Sequence, residues 1–433
     1  MCISSKNERS QNSLQPSLYM ITPFFNPAND PHRLSLHNEF IGRLKNCSFL
    51  QLVTVECSYK GSPFSFPVSK YNYRTFATSS LWLKENILNF ALKKLSKDPS
   101  FLNNGKYVAW IDDDIEFVDN DWFEKLEKSL QNYTIVQMFK ECCFMDKNKK
   151  TLETHFSFGY YYATVKLYLK SSQYPHPGYA WCTKKETMLD LLKTANGLYD
   201  IGIFGSGDKQ MAQAIIGEFK NGFIPNFEYH QNYIESLEQW QNNVLPILQK
   251  KLGFVNVTIR HHWHGSRKSR LQLERWRILA LYKFDPYKHL FRDEEGIIKL
   301  QPGAEIFEQE MQRIFESMAE NKSEEEEEEI SKGDKNSKKK RNNEKKCKDV
   351  YFYGGNQDET QKINDKGFAG GEALFLNFIA AKDEGKKKGK NVVVIKVKVN
   401  DGAVEEKEGT ITVKDRRKVK ILKIVECFKY YKL

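Results

Sequence analysis

Three consecutive aspartates stand directly after an apolar run that has the composition of a β-strand. The run covers residues 106–111, and Asp112, Asp113 and Asp114 follow it. In an extended chain, residues two apart point to the same side, so the carboxylates of Asp112 and Asp114 would lie together. Carboxylate oxygens are the hard ligands that a divalent cation bridging to phosphates prefers. The spacing predicts a metal site, and an ordinary acidic loop is the alternative interpretation.

Three of the nine histidines fall close together, as His261, His262 and His264. Imidazole suits Mn²⁺ and other transition metals, so aspartate and histidine make a reasonable mixed ligand set. The sequence lacks the HExxH and Cys–His spacings of zinc sites. The alternative interpretation is a polar loop in which one or two histidines cap neighbouring backbone.

A glycine-rich segment, Gly205-Ser206-Gly207, precedes Asp208 and a stretch with the apolar spacing of a helix at 211–216. Glycines allow tight turns, and an aspartate near a helix N-terminus often caps it. At the mouth of a site, the same carboxylate could act as a general base. Local sequence favours the cap, and the base remains the functional hypothesis.

An alternation of short strands and helices must position these residues. We predict strands at 19–22, 49–55, 106–111 and 134–139 and helices at 79–95 and 121–130. Strands alternating with helices are typical of an α/β domain with a mainly parallel sheet flanked by helices. In such folds the site lies at the carboxyl ends of the strands, where the three aspartates fall.

Composition excludes several classes of protein. Of the 433 residues, 40% are hydrophobic, which is enough for a packed core, so a wholly disordered chain is excluded. We find no apolar run near the roughly 20 residues of a membrane span and no secretory signal at the polar start. Eight scattered cysteines predict reduced thiols. We therefore expect a soluble cytoplasmic protein, and its net charge of +11 predicts anionic partners.

Charge runs divide the chain. Six glutamates occupy 324–329, and basic runs follow at 338–341 and 345–346. Like-charge blocks cannot bury a core, so a charged linker is predicted over 320–347. The other predicted parts are a disordered N-terminus over 1–18, a first domain over 19–300, a helix over 301–319 and a small β-rich α+β module over 348–433. That module has predicted strands at 391–399 and 410–424.

The order of the motifs resembles an enzyme family. A strand followed by Asp-x-Asp, then Gly-x-Gly-Asp at 205–208, then His-x-Trp-His-Gly at 261–265 is similar to soluble glycosyltransferases of the GT-A fold, close to family 2. Segments at 22–27, 53–56, 82–86 and 176–181 continue the pattern, so the resemblance covers about 19–300. It implies a Rossmann-like fold and transfer of a sugar from a nucleotide-sugar donor to an acceptor hydroxyl.

The resemblance also implies a metal and a base. Mn²⁺ or Mg²⁺ would be held by Asp112, Asp114 and His264 and would stabilise the diphosphate leaving group. Asp113 occupies the middle position, so which two of the three carboxylates bind the metal stays open. Asp208 would be the catalytic base of an inverting transfer.

Donor and acceptor contacts follow from the same resemblance. Glu56 would face the nucleobase or ribose, and Lys84 or Arg74 would face phosphate. The full set expected to bind the donor is Glu56, Arg74, Lys84, Asp112 and Asp113. His176, Tyr179 and Trp181 would lie on the acceptor side. The acceptor could be a glycan, a protein or a lipid.

The C-terminal segment faintly resembles ADP-ribosyltransferases, through motifs at 350–355, 363–368 and 370–376. Tyr353 stands near the place of that family's histidine, and Glu408 stands near the place of its glutamate. Because the histidine is missing, we predict a binding or degenerate module there.

Two other functions remain open. The basic C-terminal part would suit a nucleic-acid-binding protein, although we expect no nucleic-acid partner. A metal-dependent nucleotidyltransferase would also use Asp-x-Asp with a metal ion. Residues 272–276 fit the Q-x-x-R-W pattern of processive synthases, which is weak support for polymer synthesis.

Overall fold

The structure is a computed structural model that forms two units, Met1–Lys332 and Gly333–Leu433. In the first unit it describes residues 15–27, 30–164, 175–225, 227–265 and 270–318. In the second it describes strands at 348–356, 373–374, 391–399, 404–407, 410–413 and 419–429. The predicted charged linker and most of the predicted disordered N-terminus therefore lie outside the described residues.

A seven-stranded sheet forms the centre of the first unit, and most of its strand pairs are parallel. In spatial order the strands are β10 (Leu252–Phe254), β6 (Ile135–Gln137), β9 (Ala180–Lys184), β4 (Tyr107–Ile111), β1 (Leu18–Phe25), β2 (Leu50–Tyr59) and β3 (Asn72–Ala77). The strand β9 runs antiparallel to both of its neighbours, β4 and β6. The predicted class, a mainly parallel α/β sheet flanked by helices, is confirmed.

Helices surround this sheet. Side chains of β1 and β4 alternate between two buried clusters, with Tyr19 and Trp110 in one and Met20 and Ile111 in the other. This alternation follows from the two-residue period of a strand. The helices are α1 (Pro31–Leu44), α2 (Lys84–Leu95), α3 (Pro99–Asn104), α4 (Trp122–Asn132), α5 (Phe158–Thr164), α6 (Lys185–Ala195), α7 (Gly207–Ile215), α8 (Gln231–Leu248), α9 (Gln272–Leu281), α10 (Pro286–His289) and α11 (305–318).

A second sheet of four strands brings distant segments together. Its spatial order is β5 (Ile115–Phe117), β11 (Thr258–His261), β7 (Glu141–Met145) and β8 (Thr151–Phe156). β11 pairs antiparallel with β5, and His261 stands opposite Ile115. Because β5 begins directly after Asp114, this register places the histidine segment beside the aspartates.

The helix α11 is part of the packing of the first unit. Phe307, Met311 and Ile314 are buried in the same cluster as α2 and α7. Glu308 accepts a hydrogen bond from the backbone nitrogen of Ser80 at 3.0 Å. A two-stranded pair, β12 (Leu290–Arg292) with β13 (Ile298–Leu300), precedes it. The helix predicted over 301–319 is therefore integrated into the domain that precedes it.

Several predicted elements differ from the observed ones in length, among them the first strand and the helix expected at 79–95. The first strand continues through Pro23 to Phe25. The carbonyl oxygen of Ser17 accepts a hydrogen bond from the backbone nitrogen of Tyr107 in β4, so the backbone N–H and C=O groups of odd-numbered residues in β1 point towards β4. The pairing of β1 with β4 ends at Ile21. The missing N–H of Pro23 therefore costs no hydrogen bond in the sheet. The helix expected from residue 79 begins at Lys84.

The second unit contains two sheets of three strands. One has the order β14 (Lys348–Asn356), β16 (Asn391–Val399), β19 (Val419–Lys429), and the other has β15 (Ala373–Leu374), β18 (Thr410–Val413), β17 (Val404–Lys407). The strand predicted at 391–399 is present, and the one predicted at 410–424 is divided into two. Most of the ADP-ribosyltransferase-like motifs lie outside the described residues.

The helices in the described part of the chain are short or polar. None of them has the length and hydrophobicity that crossing a bilayer requires.

Candidate active site

A cleft of about 1060 Å³ opens at the carboxyl ends of β1 and β4. Its walls come from the loops that follow these two strands and from the segments that contain His176, Asp208 and His264. It is thus lined by most of the motifs that the sequence singled out. Crevices at the carboxyl ends of parallel strands are the usual binding sites of such sheets.

The three aspartates point to different partners. Residues 113 and 114 form a turn, so the extended geometry assumed for Asp112 and Asp114 is not observed. Asp112 Oδ1 lies 2.6 Å from Lys84 Nζ. Asp113 is buried and accepts from His37 Nδ1 and Arg33 Nη2, each at 3.1 Å. Asp114 turns towards the histidine segment.

A candidate metal centre forms where that segment meets Asp114. Ligand atoms of Asp114, His261 and His264 all lie within 4.8 Å of one another. Asp114 Oδ2 is 3.1 Å from His264 Nε2 and 3.7 Å from His261 Nε2. Asp114 Oδ1 is buried and has no hydrogen-bond partner among the described residues. The cluster contains two of the three predicted ligands, and His261 takes the place that we expected for Asp112.

The neighbouring His262 faces away from this cluster. Its Nε2 lies 2.8 Å from Glu116 Oε2. Successive residues at the end of a strand point to opposite sides, which separates His262 from His261. The β5–β11 register therefore determines which histidines face Asp114.

The charges in the cluster suit a bound cation. Burial lowers the pKa of His264 to about 4, so its imidazole is neutral near pH 7. Burial would raise the pKa of Asp114, but the charges of His261 and Arg33 help to hold it well below its usual value. His264 Nε2 also lies 2.9 Å from Arg270 Nη2, which can only donate. A lone pair on His264 and an anionic oxygen of Asp114 thus face each other.

In the same cleft, Lys84 joins two carboxylates. Lys84 Nζ lies 2.6 Å from Asp112 Oδ1 and 2.9 Å from Asp208 Oδ2. Burial opposes the charge of Lys84, but both carboxylates together raise its pKa well above the ordinary value. Lys84 is the first residue of α2, so the start of this helix fixes the ion pairs.

Asp208 does not cap its helix. α7 begins at Gly207, and among the described residues no side chain caps it. The Asp208 carboxylate faces the cleft instead and pairs with Lys84. A Cβ on Gly207 would lie 2.5 Å from Glu85 Cδ, so the glycine allows α7 to pack closely on α2. The motif expected to provide either a cap or a base therefore provides a carboxylate exposed to the cleft.

The predicted acceptor-side residues divide into two groups. The rings of His176 and Tyr179 stack at 3.9 Å between centroids, and both line the cleft. A Cβ on Gly178 would lie 3.1 Å from Asp208 Oδ2, so this loop passes close to Asp208. Trp181 lies instead in the core, because it is an inner residue of β9 and stacks on Trp110.

Two predicted donor-binding residues also lie elsewhere. The strand β2 continues three residues past Glu56, so Glu56 is not at its end. The Glu56 carboxylate accepts from the backbone nitrogens of Ser65, at 2.5 Å, and Phe66, at 3.1 Å. Arg74 donates to the Phe66 carbonyl. Among the described residues, neither Glu56 nor Arg74 lines the cleft, and both stabilise the loop between β2 and β3.

Sequence reasoning missed several residues of the cleft. Arg33 contacts Asp114, Arg270 contacts His264, and Trp82 forms part of the wall. Arg275, from the Q-x-x-R-W pattern, is buried, with its guanidinium 4.6 Å from the Trp82 ring centroid. The pattern at 272–276 falls on residues that line the cleft, but it does not predict the contact of Arg275 with Trp82. No local signal distinguished Arg33 and Arg270 from other arginines.

The chain matches no known family model and no curated protein. Among solved structures, one match is a protein from Desulfovibrio desulfuricans described as a nucleotide-diphospho-sugar transferase. It is 10% identical, covers 57% of this chain and 82% of that one, and has a TM-score of 0.26. Another is a mannose-1-phosphate geranyltransferase from Thermus thermophilus, with 9% identity, 56% and 75% coverage and a TM-score of 0.25. TM-scores this low do not establish a function for this chain.

Proposed function

We propose that the first unit is a metal-dependent glycosyltransferase that moves a sugar from a nucleotide-sugar donor to an acceptor hydroxyl. The observation that supports this most is the convergence of Asp114, His261 and His264 in a large cleft that also contains Asp208. A divalent cation and a carboxylate base in one cleft are what such a transfer needs.

The donor set of the cluster fits a transition metal. Two imidazoles and a carboxylate suit a divalent transition metal, whereas Mg²⁺ prefers oxygen ligands alone. The buried Asp114 Oδ1, without a partner among the described residues, adds an unused oxygen. Of the two ions that the resemblance implies, we therefore propose Mn²⁺, held by Asp114, His261 and His264. When bound, it would supply positive charge to the departing diphosphate.

Asp208 is proposed as the general base. The acceptor hydroxyl loses its proton to the Asp208 carboxylate while its oxygen bonds to the anomeric carbon of the sugar. The bond from that carbon to the diphosphate oxygen breaks, and the electron pair leaves with the nucleoside diphosphate. Lys84 orients Asp208 through the 2.9 Å contact and holds Asp112 with its other hydrogen bond.

The stacked rings of His176 and Tyr179 are proposed to bind the acceptor. His176 lies near Asp208, because a Cβ on Gly178 would be 3.0 Å from His176 Cε1 and 3.1 Å from Asp208 Oδ2. Gly178 N–H donates to His176 Nδ1, at 3.1 Å, which leaves the proton of a neutral ring on Nε2.

The direct test is a screen of nucleotide-sugars for hydrolysis with Mn²⁺ or Mg²⁺. Release of nucleoside diphosphate and free sugar by the wild type, lost in Asp114→Asn, supports the proposal. Asp190→Asn, on the exposed face of α6, is the matched control and should behave as the wild type. Release of pyrophosphate from nucleoside triphosphate and sugar phosphate would support the nucleotidyltransferase instead.

Nucleic-acid binding remains the other hypothesis, and it concerns the basic part of the chain after residue 319. A chain ending at 319 should retain nucleotide-sugar hydrolysis. Loss of hydrolysis on truncation would show that the second unit contributes to the activity. Binding of nucleic acid by the full chain, lost on truncation, would support the hypothesis.

A further inference from the structure

We propose that Arg270 is an internal counter-cation that competes with the divalent metal for His264. The inference rests on the proposed metal centre and concerns what occupies its ligands before a metal arrives. In this arrangement, the arginine must leave His264 before the metal can use it.

The competition follows from the single lone pair of His264 Nε2. Arg270 Nη2 lies 2.9 Å from His264 Nε2, and a guanidinium nitrogen has no acceptor capacity. His264 Nε2 must therefore accept, and an imidazole nitrogen has a single lone pair for this purpose. The same nitrogen faces Asp114 Oδ2 at 3.1 Å, so it is the ring atom through which His264 would share a metal with Asp114. It cannot serve the arginine and a metal ion together.

Arg33 provides a useful contrast within the same cluster. Its Nη1 lies 3.6 Å from Asp114 Oδ2, and its Nη2 donates to Asp113 at 3.1 Å. A carboxylate has several lone pairs, so Asp114 can contact Arg33 and a metal at once. Asp113 would hold Arg33 in place in either state. Arg270 thus blocks metal binding by occupying the only lone pair of His264 Nε2, whereas Arg33 does not block metal binding at Asp114.

A consequence is that metal affinity depends on the fraction of molecules in which His264 is available. When Arg270 contacts His264 in most molecules, the apparent dissociation constant for the metal equals the intrinsic one divided by the fraction of molecules in which His264 is available. A hydrogen bond from a charged donor is strong enough to make that factor about ten or more. Removing the arginine should therefore tighten metal binding, contrary to the usual effect of altering an active site.

The test is a Mn²⁺ titration of the full chain, followed by the electron paramagnetic resonance signal of free Mn²⁺. Arg270→Met should bind Mn²⁺ about tenfold more tightly than the wild type. In EDTA it should also melt at a lower temperature, because the cluster has lost its counter-cation. Arg277→Met, an exposed arginine of α9, is the matched control and should leave both quantities unchanged.

The outcomes separate this inference from the proposed function. Equal or weaker Mn²⁺ binding by a folded Arg270→Met protein overturns the competition and leaves the metal centre in place. Absence of Mn²⁺ binding from both proteins contradicts the metal centre itself. Binding by Arg270→Met alone supports the competition in its strongest form. If Arg270→Met does not fold, Arg270→Gln allows the same comparison.

Discussion

The backbone nitrogen of His262 donates a hydrogen bond to the carbonyl oxygen of Asp114, with an N–O distance of 2.8 Å. This bond extends the antiparallel pairing of β5 with β11 by one step, to the point where the acidic turn begins. It fixes His261 beside Asp114 and directs His262 towards Glu116. The candidate metal centre thus depends on a contact between segments that are far apart in the sequence.

Asp208→Asn should lower the rate of transfer or donor hydrolysis by about 10²–10⁴, because it removes the proposed base. The variant should stay folded and lose less stability than Lys84→Met, because Lys84 keeps Asp112 as a partner and no capping bond is lost. Steady-state kinetics and urea unfolding measure the two quantities. A folded Asp208→Asn protein with normal turnover would exclude the base role.

Lys84→Met should destabilise the first unit by about 3–5 kcal/mol, because it leaves the carboxylates of Asp112 and Asp208 without their shared cation. Adding Asp208→Asn should restore part of that loss, since one of the two charges is then absent. Urea unfolding of the single and double variants measures this coupling. Strictly additive losses would show that Lys84 and Asp208 do not interact.

Glu85→Gln tests a pH dependence. Burial, together with the charge of Asp208, raises the pKa of Glu85 from 4.5 to about 8. Between these values the folded protein keeps a proton that the unfolded chain has lost, so this group's contribution to stability falls as pH rises. Glu85→Gln should therefore gain stability relative to the wild type between pH 5 and pH 8, an interval of about three units that follows from these two pKa values.

The corresponding control is Glu294→Gln, because Glu294 is exposed. Its stability relative to the wild type should not vary over the same range in urea unfolding experiments. A Glu85→Gln difference that is equally flat would show that the buried carboxyl is ionised throughout.

Two glycine substitutions should have opposite effects on stability. Gly42→Ala, in α1, meets no atom within 4 Å and should stabilise by about 0.5–1 kcal/mol through helix propensity. Gly207→Ala should destabilise, because its Cβ would lie 2.5 Å from Cδ of Glu85, a buried side chain with little room to move. Thermal unfolding of both proteins measures this. Stabilisation by Gly207→Ala would contradict the close packing of α7 on α2.

Much of the site could be predicted because its motifs are local. Asp114 follows a clear strand, Asp208 follows two glycines, and Lys84 begins a helix with an apolar pattern. Each of these signals lies within a few residues of the side chain concerned. The mainly parallel sheet was predictable for the same reason, since its strands and helices alternate along the chain.

The remainder depends on pairing and strand length, which local patterns do not specify. β5 has three residues, too few to show a period, yet its register with β11 brings His261 to the cluster. The turn at 113–114 sends Asp112 to Lys84, away from the cluster. We predicted that Glu56 and Trp181 would line the site. Neither does, because β2 runs past Glu56 and Trp181 is buried within β9.

The comparison of His261→Gln with His262→Gln in a Mn²⁺ titration tests the proposed centre most directly. The two residues are adjacent and chemically identical, but only His261 faces Asp114. We predict that His261→Gln weakens Mn²⁺ binding by at least about tenfold, since it removes a metal ligand. His262→Gln should bind Mn²⁺ as the wild type does. Equal affinities for the two variants, or a greater loss in His262→Gln, would contradict the metal centre described here.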